Sequence, residues 1–299
     1  MENARRCFRK KFVPPDCNSG DIFRINFIEV FTMIIGFQTA NYFARATNYQ
    51  SSMDAWGEAE RKVIETFSLA EFDRICHDIR GAGFQNIELW MGHAFPKFMT
   101  PYFAEELKKI WQSYSLSVYS YSCSLGDPIR YPRWTRLCFE TAKMLGIDLI
   151  TSGISKESAP VIYSLCNEFG IKVGVENHPE KHPDEIKAII GDYGDLLGAV
   201  VDTGWYGTQD FSASEAILQL KDSLLNVHLK DVREAGMHNP VALGTGIAGI
   251  AECVYALKEI GYDRTVSIEQ EAGDYDPTDD CASALQWVKS LLDESKSDS

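Results

Sequence analysis

The sequence predicts an α/β chain folded as one (β/α)8 barrel behind an N-terminal extension. Three observations carry that prediction. From Met33 onward, eight short apolar runs alternate with eight longer helical patterns, an order that implies a parallel sheet with crossover helices. The 299 residues, 45% of them hydrophobic, are enough to bury one large core. Four successive late runs, KVGVE, LLGAVVD, LLNVH and TVSIE, each close on a carboxylate or an imidazole, as catalytic strand ends do in such barrels.

The expected strands cover residues 33–38, 86–90, 117–122, 147–151, 172–176, 197–202, 225–229 and 265–269. Each is a mostly apolar run bounded by Gly, Asn, Asp or Pro. Helical patterns fall at 69–81, 102–113, 132–145, 158–169, 183–190, 213–221, 249–260 and 279–292. Ser68 and Ser212, each with a glutamate three residues on, read as N-caps, and Pro183 as a first helical turn. Gly83, Gly146, Gly170 and Gly261 sit where helices should stop. The long connections 39–67 and 91–101 read as rim loops suited to a lid or to specificity.

The barrel is expected to occupy residues 33–292, followed by a polar tail at 293–299. Residues 1–32 open with a basic cluster and Pro14-Pro15 and belong to neither a clean secretory signal nor the barrel. They read as a flexible arm, a targeting segment, or sequence upstream of a start at Met33. The apolar stretch 22–37 is interrupted by Arg24, Asn26 and Glu29 and is too short and too charged to span a bilayer. Eight scattered cysteines without a CxxC pair read as reduced structural thiols in a cytoplasmic protein. A net charge of −14 argues against nucleic acid and polyphosphate as partners, leaving a small neutral or metal-chelating molecule.

Strand parity tests the four polar endings. Residues two apart share a face, so Gly174, Glu176 and His178 point one way, as do Val200 and Asp202, His228 and Lys230, and Glu269 and Glu271. The alternate positions, such as Val173, Val175, Val201, Val227, Leu229 and Ile268, are apolar and suit the layer beneath the helices. Glu176, Asp202, His228 and Glu269 therefore converge on the carboxyl-terminal mouth as one metal site. Three oxygens and one nitrogen suit a single divalent ion, Mn²⁺ above Mg²⁺, Co²⁺ or Zn²⁺. A divalent ion there can stabilise the enediolate formed when a carbon beside a carbonyl loses its proton. His178 and Lys230 lie two residues beyond ligands on the inward face and can reach substrate hydroxyls or orient the ligands.

The stretches GFQNIELW, VGVENHP, AVVDTGW, NVHLKD, ALGTGI and SIEQE resemble the xylose isomerase-like barrel superfamily of sugar isomerases and epimerases. The resemblance covers about residues 33–292, and the ordered Glu, Asp, His, Glu set is its most specific part. It implies that these four residues hold one divalent ion and that Glu176 and Glu269 also form the acid/base pair. It further implies substrate contacts at Glu88 and Arg233. Where many relatives carry a histidine three residues after the aspartate, this chain has Trp205, which can stack on a sugar face.

The expected activity is a metal-dependent isomerase or epimerase of a ketose or keto-polyol, with a small carbohydrate as substrate. A lyase of the same superfamily, a keto-inositol dehydratase or a β-eliminating C-glycoside deglycosidase, begins with the same deprotonation. An apurinic-site endonuclease would need more histidines than the six present. A metal-keeping accessory subunit leaves both candidate bases without a task. Homo-oligomeric assembly, or pairing with another subunit, is expected.

Overall fold

A computed structural model describes residues 33–294. Eight parallel strands close into a barrel in the order β1-β10-β7-β6-β5-β4-β3-β2. They are β1 (Ile34–Gln38), β2 (Asn86–Trp90), β3 (Ser117–Ser122), β4 (Leu149–Ser152), β5 (Lys172–Glu176), β6 (Leu197–Asp202), β7 (Leu224–Leu229) and β10 (Thr265–Ile268). Two further strands, β8 (Asp231–Val232) and β9 (Pro240–Val241), pair antiparallel in the loop after β7. The (β/α)8 architecture expected from the alternation is the one observed.

The outer helices are α2 (Leu69–Gly81), α3 (Pro101–Ser113), α4 (Pro132–Leu145), α5 (Ala159–Phe169), α6 (Pro183–Ile190), α8 (Ala213–Leu220), α9 (Ile250–Glu259) and α10 (Thr278–Asp293). The hydroxyls of Ser68 and Ser212 accept the N–H of Glu71 and Glu215 at the starts of α2 and α8. Gly146 and Gly170 follow α4 and α5 in the left-handed region, where a side chain would strain the backbone. Alternate strand residues behave as parity requires. Val173, Val175, Val201, Val227, Leu229 and Ile268 are fully buried in the layer under the helices.

Two short helices depart from the expected pattern. α1 (Trp56–Thr66) lies inside the long connection 39–67, read above as loop. Its apolar stripe is thin, with only Ala59 and Val63 buried among many charges, so periodicity hardly marks it. α7 (Thr203–Thr208) follows β6 directly and has the sequence TGWYGT, poor in helix formers. It exists because Asp202 caps it, accepting the Trp205 N–H at 2.9 Å.

The ALGTGI stretch is organised by one carboxylate. Asp231 accepts N–H groups from Val232, Gly244, Gly246 and Ala248 at 2.9–3.0 Å. Gly246 is required there, because a Cβ would meet the Val232 carbonyl at 2.2 Å. The six cysteines among the described residues are all buried and free; Cys7 and Cys17 lie outside the described residues, as does the expected extension 1–32. Among the described residues no helix is long and apolar enough to cross a membrane.

His93, on the rim after β2, is 2% exposed and packs between Phe67 and Trp90. Burial, with the charge of Arg45 adding to it, pushes this imidazole down to about 3. The unfolded chain therefore takes up a proton near the ordinary histidine pKa of about 6.5 while the folded chain does not. His93 stabilises the fold fully above that value, and the contribution fades as pH falls toward the folded pKa. By pH 5 the loss is about 2 kcal/mol. Denaturant titrations at pH 7 and pH 5 should show a smaller drop for His93→Gln than for the parent; an equal drop would remove His93 from the acid sensitivity.

Candidate metal centre

The barrel brings the four polar strand ends together. Glu176 ends β5, Asp202 ends β6, His228 stands next to last in β7, and Glu269 follows β10. Register holds them level: Asp202 lies beside His228, His228 beside Ser267, and the Glu269 N–H continues the ladder to the Leu229 carbonyl at 3.0 Å. One ligand atom from each residue falls within 4.8 Å of all the others. Donors about 2.0 to 2.6 Å from a shared ion would be separated by no more than about 5.2 Å, so the spacing admits one coordination sphere.

Among the described residues three of the four donor atoms also make no hydrogen bond, although Asp202 Oδ2 lies 3.2 Å from the Lys230 ammonium. His228 Nδ1 lies 2.8 Å from both Glu176 Oε1 and Glu269 Oε2. Yet among the described residues both ring nitrogens of His228, Glu269 Oε2 and Asp202 Oδ2 make no hydrogen bond. Buried polar atoms left unpaired cost free energy. Atoms of this kind, converging without bonding one another, fit a cation between them. Asp202 divides its two oxygens accordingly, Oδ1 capping α7 and Oδ2 facing the cluster.

Charge points the same way. Glu88, Glu176, Asp202, Glu269 and Glu271 are buried together, and Lys230 is the one lysine among them. Its Nζ reaches Asp202 at 3.2 Å, Glu269 at 3.0 Å and Glu271 at 2.9 Å. Burial opposes the lysine charge, but those carboxylates outweigh it and raise its pKa well above the usual value. His228 behaves alike: burial pulls it down, and Glu88, Glu176 and Glu269 lift it well above an ordinary imidazole. Burial pushes the Glu176 carboxyl up, yet His178, His228 and Lys230 carry it down to about 2. Burial raises Asp202, and the charges of Glu269 and Glu176 add to that despite Lys230. The cluster is short of positive charge, which is what a divalent ion supplies.

Glu88 is placed differently from the substrate contact expected of it. It is fully buried below the cluster and does not line the cavity. Its oxygens accept from Ser120 Oγ at 2.9 Å, Asn226 Nδ2 at 2.9 Å and Ser267 Oγ, and lie 2.9 Å from His228 Nε2. The reason is depth, because Leu89 and Trp90 follow it in β2, so Trp90, of the same parity, reaches the rim. Burial works against the Glu88 charge, and His228, Ser267 and Thr151 overcome it, leaving its carboxyl below the ordinary range. Glu88 thus holds the ring of His228 from behind, an arrangement that orients a metal-binding imidazole.

Above the cluster opens a cavity of about 840 Å³. His178, Trp205 and Lys230 line it; Arg233 does not, its side chain being exposed while its N–H bonds the Asn239 carbonyl at 3.0 Å. Trp205 lies flat against His238, with ring centroids 4.3 Å apart and planes at 5°, and tilts toward His178 on its other side. His77 sits exposed on α2 against Asp78 and Tyr114. Sequence reasoning missed Trp56, Glu60 and Glu271 in the cavity wall and left His238, on a mouth-side loop, without an assigned role. For Glu271 the signal was present, since it shares parity with Glu269. The other three come from rim connections, where no period orders side chains.

The fold and this site together define a (β/α)8 barrel whose mouth carries four residues spaced to hold a metal ion. The xylose isomerase-like TIM barrel family matches residues 76–291, and the chain belongs to it. No curated protein matches the chain in sequence. Among solved structures, D-psicose 3-epimerase is similar with a TM-score of 0.65 at 15% identity, over 88% of this chain and 100% of that one. The probable 3-DHS dehydratase AsbF from Bacillus anthracis gives a TM-score of 0.64 at 16% identity, over 88% and 100%. The IOLI protein, solved with a zinc atom, gives 0.63 at 17% identity, over 87% and 98%.

If the cluster holds a cation, elemental analysis of protein purified without chelator should find about one divalent ion per chain. Glu88→Gln should bind that ion about 10- to 100-fold more weakly, read by competition with a metallochromic indicator. Equal affinity in the two proteins would separate Glu88 from the metal site.

Proposed function

We propose that the protein is a divalent-metal-dependent isomerase or epimerase of a ketose or keto-polyol, working by proton transfer at a carbon beside a carbonyl. The observation that carries this reading is the pair Glu176 and Glu269, which face one another across the cluster and both line the cavity. A bound cation supplies the positive charge that stabilises the enediolate; three oxygens and one nitrogen favour a hard ion such as Mn²⁺.

The two glutamates are prepared unequally. Glu269 turns Oε2 toward the cluster and gives Oε1 to Lys230 at 3.0 Å. Glu176 turns Oε1 toward the cluster, and its Oε2 has no partner among the described residues. Glu269 is thereby tied to Lys230 through one oxygen, while Glu176 keeps a free oxygen at the cavity floor. Removing a proton with one and returning it with the other, from opposite sides of the carbon, inverts the centre or moves the carbonyl. His178 and Trp205 would contact the substrate from the cavity wall.

A lyase reading is supported by the similarity to a dehydratase, and it starts from the same proton removal. Incubation with ketoses, inososes and C-glycosides in deuterated water separates the two. Deuterium next to the carbonyl of a product isomer is the expected result, and Glu269→Gln should slow its entry about 10²- to 10⁴-fold. Release of water or an aglycone would replace isomerisation by elimination, and no exchange with any substrate would defeat both.

A further inference from the structure

The connection carrying α1 puts two side chains into the cavity that no part of the proton-transfer pair requires. Trp56 and Glu60 lie one turn apart and so share a side of α1, and both line the cavity. Ala59 and Val63 face the protein body. The remaining charges of the helix, Glu58, Arg61, Lys62 and Glu65, are exposed, and Arg61 pairs with Glu65 at 2.7 Å. Glu60 alone is half-buried, and it has neither a cation nor a hydrogen-bond donor as partner among the described residues. Taking a carboxyl out of water without a partner is costly, and nothing in the packing of α1 offsets that cost.

The acceptors nearest in the wall are already used. Glu271 receives the Trp56 indole N–H on Oε1 at 3.1 Å and the Lys230 ammonium on Oε2 at 2.9 Å. Among the described residues Lys230 is the only lysine or arginine lining the cavity, and it is committed to Asp202, Glu269 and Glu271. The described lining therefore offers no free lysine or arginine to a phosphate. The charged and titratable groups around Glu60 are Asp54 and Glu58 on its own connection, Glu271 after β10, Lys230 after β7, and His178 and His238 across the cavity.

We propose that Glu60 binds the substrate, donating a hydrogen bond from the α1 side of the cavity to a hydroxyl oxygen of an unphosphorylated sugar or polyol seated over the metal cluster. The inference rests on the carbohydrate reading of the cavity. Burial first, and the charge of Glu271 second, push the Glu60 carboxyl up to about 7, so near neutral pH much of the protein carries the proton this bond needs. A neutral polyol supplies lone pairs and adds no negative charge to an acidic wall. The protonated form is lost as pH rises through that value, and binding weakens with it.

The test is calorimetric binding of D-fructose, D-allulose and their 6-phosphates to the full chain with Mg²⁺, at pH 6 and pH 8. The free ketohexoses should bind the parent about tenfold more weakly at pH 8, following the fraction of protonated carboxyl. Glu60→Gln keeps a donor at that position and should bind equally at both pH values, while Glu58→Gln, on the solvent side of α1, should follow the parent. A flat profile in the parent, a profile in Glu60→Gln that still falls, tighter binding of the 6-phosphates, or no ketohexose binding at either pH would each overturn the assignment. Binding involves no turnover, so the expected pattern without deuterium exchange would leave Glu60 in place and remove the isomerase reading instead.

Discussion

The structure depends on how it keeps five carboxylates buried at one end of a barrel. Glu88, Glu176, Asp202, Glu269 and Glu271 are all removed from water within reach of one another, and like charges in a low-dielectric interior repel strongly. Hydrophobic burial elsewhere tolerates this only because each charge is answered. Lys230 ties three of them, serine and asparagine donors satisfy Glu88, and a divalent ion fits the gap between the remaining oxygens. The same deficit of positive charge that makes the site costly is one that a bound cation would offset.

The barrel topology spreads this arrangement over depth. The innermost layer holds Glu88 with Ser120, Asn226 and Ser267, the next holds the cluster, and the rim holds Lys230 and Glu271. Each layer fixes the one above it. Glu88 sets the ring of His228, His228 faces Glu176 and Glu269, and Lys230 joins Glu269 to Glu271. From Glu271 the connection passes to Trp56 on α1. A continuous chain of polar contacts thus runs from the barrel interior to the helix over the mouth, so displacing α1 alters the partners of the lysine that touches two cluster residues.

What the sequence revealed follows from which side chains a period governs. Strands repeat every two residues, so parity placed Glu176, Asp202, His228 and Glu269 on one inward rim, and the eight-strand pattern was legible from the alternation of short apolar runs with helical patterns. Parity does not encode depth. Glu88 and Trp90 share a face, and only the length of β2 beyond Glu88 decides which of them reaches the cavity. Rim connections carry no period, which is why α1, with two buried apolar residues, read as a loop, why Glu60 went unnoticed, and why His238 was placed near the mouth without a role. Arg233 illustrates the reverse error, a charge near the site in sequence whose loop turns it to solvent.

Trp205 shows how one departure from a family pattern is absorbed locally. Its position, three residues after Asp202, is held by the cap that Asp202 gives α7, so the backbone there answers to the cluster whatever side chain it bears. A histidine at this point would bring another nitrogen toward the cavity. The indole instead lies flat on His238, whose imidazole burial, reinforced by Lys230, pushes down to about 3 and keeps neutral. The neutral pair presents an apolar wall opposite Lys230 and the carboxylates, so the cavity has a charged floor and a flat aromatic side. That asymmetry suits a molecule with one polar edge and one apolar face, the polar edge toward the cluster and the apolar face toward the wall.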